Sequence, residues 1–208
     1  MQRVFVTGIS TEVGKTLVAA ILTEALEADY WKPVQAGDLD DTDSHKVAQW
    51  VGNGKTSIHP SAYSLTQPMS PHAAAERDGI EIDLGRIRPP ETENSLVIEG
   101  AGGLLVPLNT RDTILDLIRP EYKVVVVSRH YLGSINHSLL TLEALQSRSH
   151  SPYLIFNGAA NPDTERIIAA KTGVPVLGRI PPIDPIGRES VREQAGALKP
   201  ALRAYNFL

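Results

Sequence analysis

The chain has 208 residues, 42% hydrophobic and 21% charged, the size and balance of one globular domain with a sizeable core. A net charge of −4 supplies no overall field toward nucleic acid or an anionic membrane. The absence of cysteine excludes disulfides, thiolate zinc sites and a cysteine nucleophile.

The first apolar run, Val4-Phe5-Val6, stops at Gly8 and is too short for a secretory signal. No stretch approaches the roughly 20 apolar residues of a membrane span, so the expectation is a soluble, cytoplasmic protein. Leu17 to Ala28 carries apolar residues at helical spacing, and Tyr30 to Val34 reads as a second strand. From Gly52 to Pro90 no regular period emerges, and Pro60, Pro68, Pro71, Pro89 and Pro90 interrupt it. A long irregular insertion of this kind in a compact domain is often functional. Leu96-Val97-Ile98 is a strand ending at Glu99-Gly100. The four valines Val124 to Val127 suit a strand buried on both faces of a parallel sheet. His137 to Gln146 is amphipathic, Tyr153 to Phe156 is a strand, and Pro162 to Lys171 is a helix stopped by Gly173. Val176-Leu177-Gly178 makes a last strand and Glu189 to Leu198 a last helix.

This alternation predicts an α/β fold: a mostly parallel central sheet flanked by helices, in a single domain over residues 1–208. Chemistry in such sheets gathers at the carboxyl ends of the strands. Gly14-Lys15-Thr16 follows a strand and opens a helix, the context of a phosphate-binding loop, so the fold expected is a P-loop NTPase-type three-layer sandwich. Free N–H groups and the helix dipole favour an anion there, Lys15 would reach the β- and γ-phosphates, and the Thr16 hydroxyl would sit on Mg²⁺. The spacing is off the strict pattern, because Gly8 lies one position too early and Ile9 stands where a glycine is expected. By itself the tripeptide reads equally as a glycine turn leading into a helix with an exposed lysine.

A P-loop fold needs a carboxylate near its metal. Glu99, at a strand end before Gly100-Ala101-Gly102-Gly103, is one candidate. The cluster Asp38, Asp40, Asp41 and Asp43 reads mostly as a solvated loop with one possible Mg²⁺ ligand. Lys32, kept out of a helix by Pro33, could clamp a phosphoryl group or an anionic substrate.

Together these segments resemble dethiobiotin synthetase over nearly the whole chain. The resemblance rests on Val6-Thr7-Gly8 through Thr11-Glu12-Val13-Gly14-Lys15-Thr16, Lys32-Pro33-Val34 and Ser70-Pro71-His72. It continues through Val97-Ile98-Glu99-Gly100-Ala101-Gly102-Gly103, Leu132-Gly133-Ser134-Ile135-Asn136-His137 and Asn157. The extra loop residue is that family's own form of the motif. The resemblance implies ATP-dependent carboxylation and ring closure of 7,8-diaminononanoate with CO₂, through a carbamate and a carbamic-phosphoric anhydride. It implies catalytic roles for Lys32, Lys15 and Thr11, and Mg²⁺ ligands at Thr16, Asp43 and Glu99. ATP would be held by Glu12, Val13, Gly14, Lys15, Thr16, Leu17, Asp43, Glu99, Gly100, Ala101 and Gly102. Asn157 and Gly158, with Pro181, Pro182 and Ile183, would hold its base. The diamine would meet Lys32, Gln35, Ala36 and Pro71, and, across a homodimer interface, Ser134, Ile135 and Asn136.

Two departures stand out. Ala36 replaces a hydroxyl residue common in the family, and Ser128-Arg129-His130-Tyr131 differs from members with a smaller sequence and a lysine there. Neither a nucleic acid nor a membrane is an expected partner. A glutamine-dependent amidating relative lacks support, since the chain has no cysteine for the extra domain such enzymes carry. The alternative from another class is a nucleotide-switched dimer of the partition or positioning type, which would place a second lysine early in the loop, where Ile9 and Ser10 stand.

Overall fold

The computed structural model describes residues Met1–Leu208. In chain order the elements are β1 (Arg3–Gly8), α1 (Lys15–Leu26), β2 (Asp29–Trp31), β3 (Val34–Ala36), α2 (Asp43–Trp50), β4 (Ile58–His59), β5 (Tyr63–Leu65) and α3 (Pro71–Arg77). There follow β6 (Leu96–Gly103), β7 (Lys123–Arg129), α4 (Ser134–Ser147), β8 (Tyr153–Asn157), α5 (Pro162–Thr172), β9 (Val176–Ile180) and α6 (Arg188–Ala204).

The main sheet has seven strands in the order β4-β2-β6-β1-β7-β8-β9, every pair parallel. Helices α1, α2 and α6 pack together, as do α4 and α5. The expected parallel α/β architecture is therefore present. Val4, Phe5 and Val6 of β1 and Val124 to Val127 of β7 are buried, as a strand covered on both faces demands. Helix α1 is more deeply placed than its apolar spacing suggests. Even Thr23 and Glu24 are buried, and Glu24 accepts a hydrogen bond from the Gly52 N–H at 2.8 Å.

Three local expectations change. The strand expected over Tyr30 to Val34 is two strands, ending at Trp31 and resuming at Val34, because Pro33 has no N–H for a ladder. The acidic loop ends in α2, where Thr42 caps the helix by accepting from the His45 N–H at 3.1 Å. The irregular stretch from Gly52 to Pro90 holds β4, β5 and α3, and β5 pairs with β3 as a separate parallel two-stranded sheet. Beyond these, α4 begins at Ser134 rather than His137, and α6 continues to Ala204 because Leu198 and Leu202 stay buried.

Candidate active site

The sheet order brings β6 beside β1, with Val6 paired to Glu99, so Glu99 stands beside the strand that leads into the phosphate loop, and β6 continues past it to Gly103 rather than ending at Glu99-Gly100. The loop closes on Gly14, whose φ of 91° is open to glycine and strained for other residues. No side chain caps α1, so its first N–H groups remain free for an anion. Gly102 on the facing segment has φ 67°, and a β-carbon there would come within 2.8 Å of Val106 Cγ2. These two glycines allow two stretches of backbone to approach the same space.

Five predicted residues converge. Lys32 Nζ donates to Glu99 Oε1 at 3.1 Å and also contacts Asp43 Oδ2. Thr16 Oγ1 lies 2.9 Å from Asp43 Oδ1 and 2.9 Å from Glu99 Oε1. Lys15 Nζ, near the same group, donates to the Ser10 carbonyl at 3.1 Å. Lys32 is 4% exposed, Lys15 7% and Glu99 1%, so this is a charged cluster within the body of the protein. Burial alone would lower the Lys32 pKa, but the Glu99 and Asp43 carboxylates and their hydrogen bonds outweigh it and raise it, keeping the ammonium charged. Burial also works against the Asp43 carboxylate, and the Lys32 charge, with hydrogen bonds from Lys32 and Thr16, reverses it to a lowered pKa. Lys15 has no such close partner. Desolvation brings its pKa down to about 8, with Glu99 and Asp43 opposing and Lys32 adding to the fall.

The Thr16 hydroxyl carries one proton yet faces two carboxylates. Two carboxylates and a hydroxyl suit a hard cation that takes its other positions from water and substrate phosphates, as Mg²⁺ does. The chain holds no group of three or more His, Cys, Asp or Glu side chains arranged for a metal.

Thr11 and Glu12 are exposed on the loop, and Leu17 is buried in the first turn of α1. Gln35 is buried, donating to the Gly37 carbonyl at 2.9 Å, with Ala36 at the end of β3. Pro71 is buried at the first position of α3. Ser134 opens α4 and is buried, while Ile135 and Asn136 are exposed. Gly133 offers α4 no side-chain cap. Asn157 ends β8, and its Nδ2 donates to the Val13 carbonyl at 2.9 Å, so half of its amide already serves the loop. The Gly158 N–H donates to the Ile180 carbonyl at 2.8 Å, bringing the end of β8 against the segment that continues through Pro181, Pro182 and Ile183.

A groove of about 410 Å³ runs from Ser10 and Thr11 past Val106 and Pro107 to His137 and Leu140 of α4. Another cavity, of about 280 Å³, lies among Phe5, Trp31 and Ile98, and none of the predicted site residues lines it.

Sequence reasoning missed Tyr30. Its hydroxyl donates to Glu99 Oε2 at 2.7 Å, and the residue is fully buried. In sequence it is one more aromatic residue in a strand, and only the register Tyr30 to Val97 reveals its partner. Arg129 was noticed only as a departure, and its Nη1 donates to the Glu12 carbonyl at 3.2 Å.

Comparison with known proteins gives a consistent set. A family model described as an AAA domain matches residues 2–190. The chain is 58% identical over 177 residues to the ATP-dependent dethiobiotin synthetase BioD of Christiangramia forsetii, covering 85% of this chain and 86% of that one. It is 51% identical over 198 residues to the protein of the same name from Cytophaga hutchinsonii, covering 94% and 96%. Among solved structures, a ParA family ATPase from Chlorobium tepidum matches with a TM-score of 0.56 at 14% identity, covering 99% of this chain and 94% of that one. The MinD cell division protein of Aquifex aeolicus matches with a TM-score of 0.55 at 12% identity, covering 100% and 98%. At such low identity these two speak for the P-loop NTPase fold alone.

Proposed function

The chain belongs to the ATP-dependent dethiobiotin synthetase family and is an ATP-dependent ligase of biotin biosynthesis, and from that premise we propose its mechanism and the residues that carry it. One amine of 7,8-diaminononanoate adds to CO₂ and loses a proton, giving a carbamate. A carbamate oxygen attacks the γ-phosphorus of ATP and expels ADP. The second amine then attacks the carbonyl of the mixed anhydride, closing the cyclic urea and releasing phosphate. Because both amines belong to one substrate, the protein's contribution is positioning and charge stabilisation.

The observation that carries this reading is the convergence of Lys15, Thr16, Lys32, Asp43 and Glu99 at the mouth of the phosphate loop, beside a groove that starts at Thr11. Lys15 and the N–H groups of Val13, Gly14, Lys15, Thr16 and Leu17 hold the phosphates. Thr16, Asp43 and Glu99 would hold Mg²⁺, which neutralises phosphate charge when bound. Lys32, protonated at neutral pH, stabilises the carbamate and the transferring phosphoryl group. Thr11 and Glu12 face the reacting end, with Gly100, Ala101 and Gly102 opposite. Gln35, Ala36 and Pro71 border the diamine, and with Ala36 lacking a hydroxyl, the second N–H of Gln35 Nε2 replaces that contact, since the Gly37 N–H already donates to the Leu65 carbonyl at 2.9 Å. Asn157 keeps a second N–H and its Oδ1 for adenine, flanked by Gly158, Pro181, Pro182 and Ile183.

A homodimer completes this site. Leu105, Leu132, Ile135 and Leu140 are exposed apolar side chains on and beside α4. In a second copy, Ser134, Ile135 and Asn136 at the start of α4 would take the substrate carboxylate, using an uncapped helix N-terminus. The partition-type alternative has only fold likeness behind it.

The test is phosphate release from ATP with diaminononanoate and bicarbonate. Release is expected only when both are present, and folded protein with no diamine-dependent release would sink the reading. Lys32→Ala should lower kcat by about 10²–10³-fold, with ATP affinity largely kept. An unchanged kcat would remove Lys32 from the mechanism.

A further inference from the structure

The outer edge of the phosphate loop is gripped by two side chains. Arg129, the last residue of β7, donates to the Glu12 carbonyl at 3.2 Å. Asn157, the last residue of β8, donates to the Val13 carbonyl at 2.9 Å. The two donors are register partners on adjacent strands, and the two acceptors are consecutive in the loop.

The backbone between them is unusual. Glu12 holds φ 57°, a left-handed conformation that a residue with a β-carbon rarely adopts, and Gly14 holds φ 91°. Left-handed residues at such spacing turn successive N–H groups to one side, forming an anion-binding concavity. The carbonyls must then point the other way, and those are the groups that Arg129 and Asn157 hold. Asn157 also packs against the loop, since a β-carbon on Gly14 would lie 2.0 Å from its Nδ2.

We infer that Arg129 and Asn157 are positioning residues for the phosphate cradle: they fix the carbonyls of Glu12 and Val13 outward so that the loop's N–H groups face the polyphosphate, and Asn157 thereby couples base recognition to phosphate binding. The inference rests on the nucleotide-binding reading of the loop and extends it to a strand-end pair.

The probe is inorganic tripolyphosphate, which has no base, titrated calorimetrically alongside ATP. If Asn157 only reads adenine, N157A weakens ATP and leaves tripolyphosphate untouched. Positioning predicts that N157A and R129A each weaken tripolyphosphate about tenfold, the scale of one lost hydrogen bond. KM for the diamine and the melting temperature of the free protein should hold steady in R129A, and R129K should recover part of the affinity. Direct contact between Arg129 and phosphate is separated by repeating R129A in an E12G background. Glycine adopts the left-handed conformation without a clamp, so the loss should shrink to less than about threefold. A loss undiminished by E12G, or unchanged tripolyphosphate affinity in both single variants, overturns the inference. A wild-type protein that binds neither ATP nor tripolyphosphate would instead overturn the reading of the loop itself.

Discussion

Tyr30 and Glu99 show how much one buried hydroxyl can decide. Burial, reinforced by the Glu99 and Asp43 charges, pushes the Tyr30 pKa well above its ordinary value, so the hydroxyl keeps its proton and stays a donor. It holds Glu99 Oε2 and leaves Oε1 facing Thr16 and Lys32. An outer partner that orients a metal-ligating carboxylate typically contributes 10–100-fold in affinity, roughly, for the metal. Tyr30→Phe keeps the packed ring and removes only the donor. Calorimetric titration of Mg²⁺ into the ADP complex should therefore show affinity about 10–100-fold weaker. An unaltered titration would mean that Tyr30 merely fills the core. At this scale Lys15, Thr16 and Lys32 were legible as chemistry because each sits just past the end of a strand or at the start of a helix, and Glu99 because glycines follow it, although β6 runs on to Gly103. Tyr30 was not, because hydrogen bonding between strands depends on which strand lies next door.

Among the elements, the two-residue strand β4 illustrates why Gly52 to Pro90 resisted reading. It is too short to display a period, and it is held against β2 by one acid at the start of that strand. Asp29 is buried and accepts from the Ser57 N–H at 2.9 Å, Thr92 Oγ1 at 2.6 Å and Asn94 Nδ2 at 3.0 Å, with His59 Nε2 at 2.9 Å. Burial would raise its pKa, but these hydrogen bonds, from Asn94, Thr92, Ser57 and His59, bring it to about 2. A carboxylate depressed on folding stabilises the native state above its unfolded pKa of 3.8, and the contribution disappears as pH falls toward 2. Urea unfolding of the wild type should weaken across that interval. Asp29→Ala should lose about 1–3 kcal/mol at neutral pH, the cost of stranding buried donors, and should lose part of the acid dependence. Equal acid slopes in the two proteins would deny Asp29 this role. Helix α2 escaped notice for a related reason: its acidic start reads as loop until Thr42 and His45 cap it.

For the molecule as a whole, the proposed homodimer would cover the exposed apolar side chains around α4. Leu132 is fully exposed and Leu105 61% exposed, a disposition costly to leave in water unless another surface covers it. Light scattering at micromolar concentration should give the mass of a dimer, and Leu132→Glu should shift it toward monomer while lowering diamine-dependent turnover. A wild-type monomer that is fully active would remove the dimer and, with it, the roles of Ser134, Ile135 and Asn136.

Contiguous chemistry could be read without coordinates. The run Gly8 to Thr16 carries the phosphate-loop pattern in consecutive residues, and the alternation of the main strands and helices follows from apolar periods within single segments, so local residues suffice for both. The arrangement around that run could not. Glu99 reaches Thr16 across 83 positions of chain, and Asn157 reaches Val13 across 144. Those meetings exist because the sheet runs β6-β1-β7-β8, an order set by which buried faces pack together rather than by succession along the chain. A segment's own composition determines whether it is a strand. Only the packed whole determines its neighbour, and therefore which carboxylate, hydroxyl or guanidinium stands beside the loop.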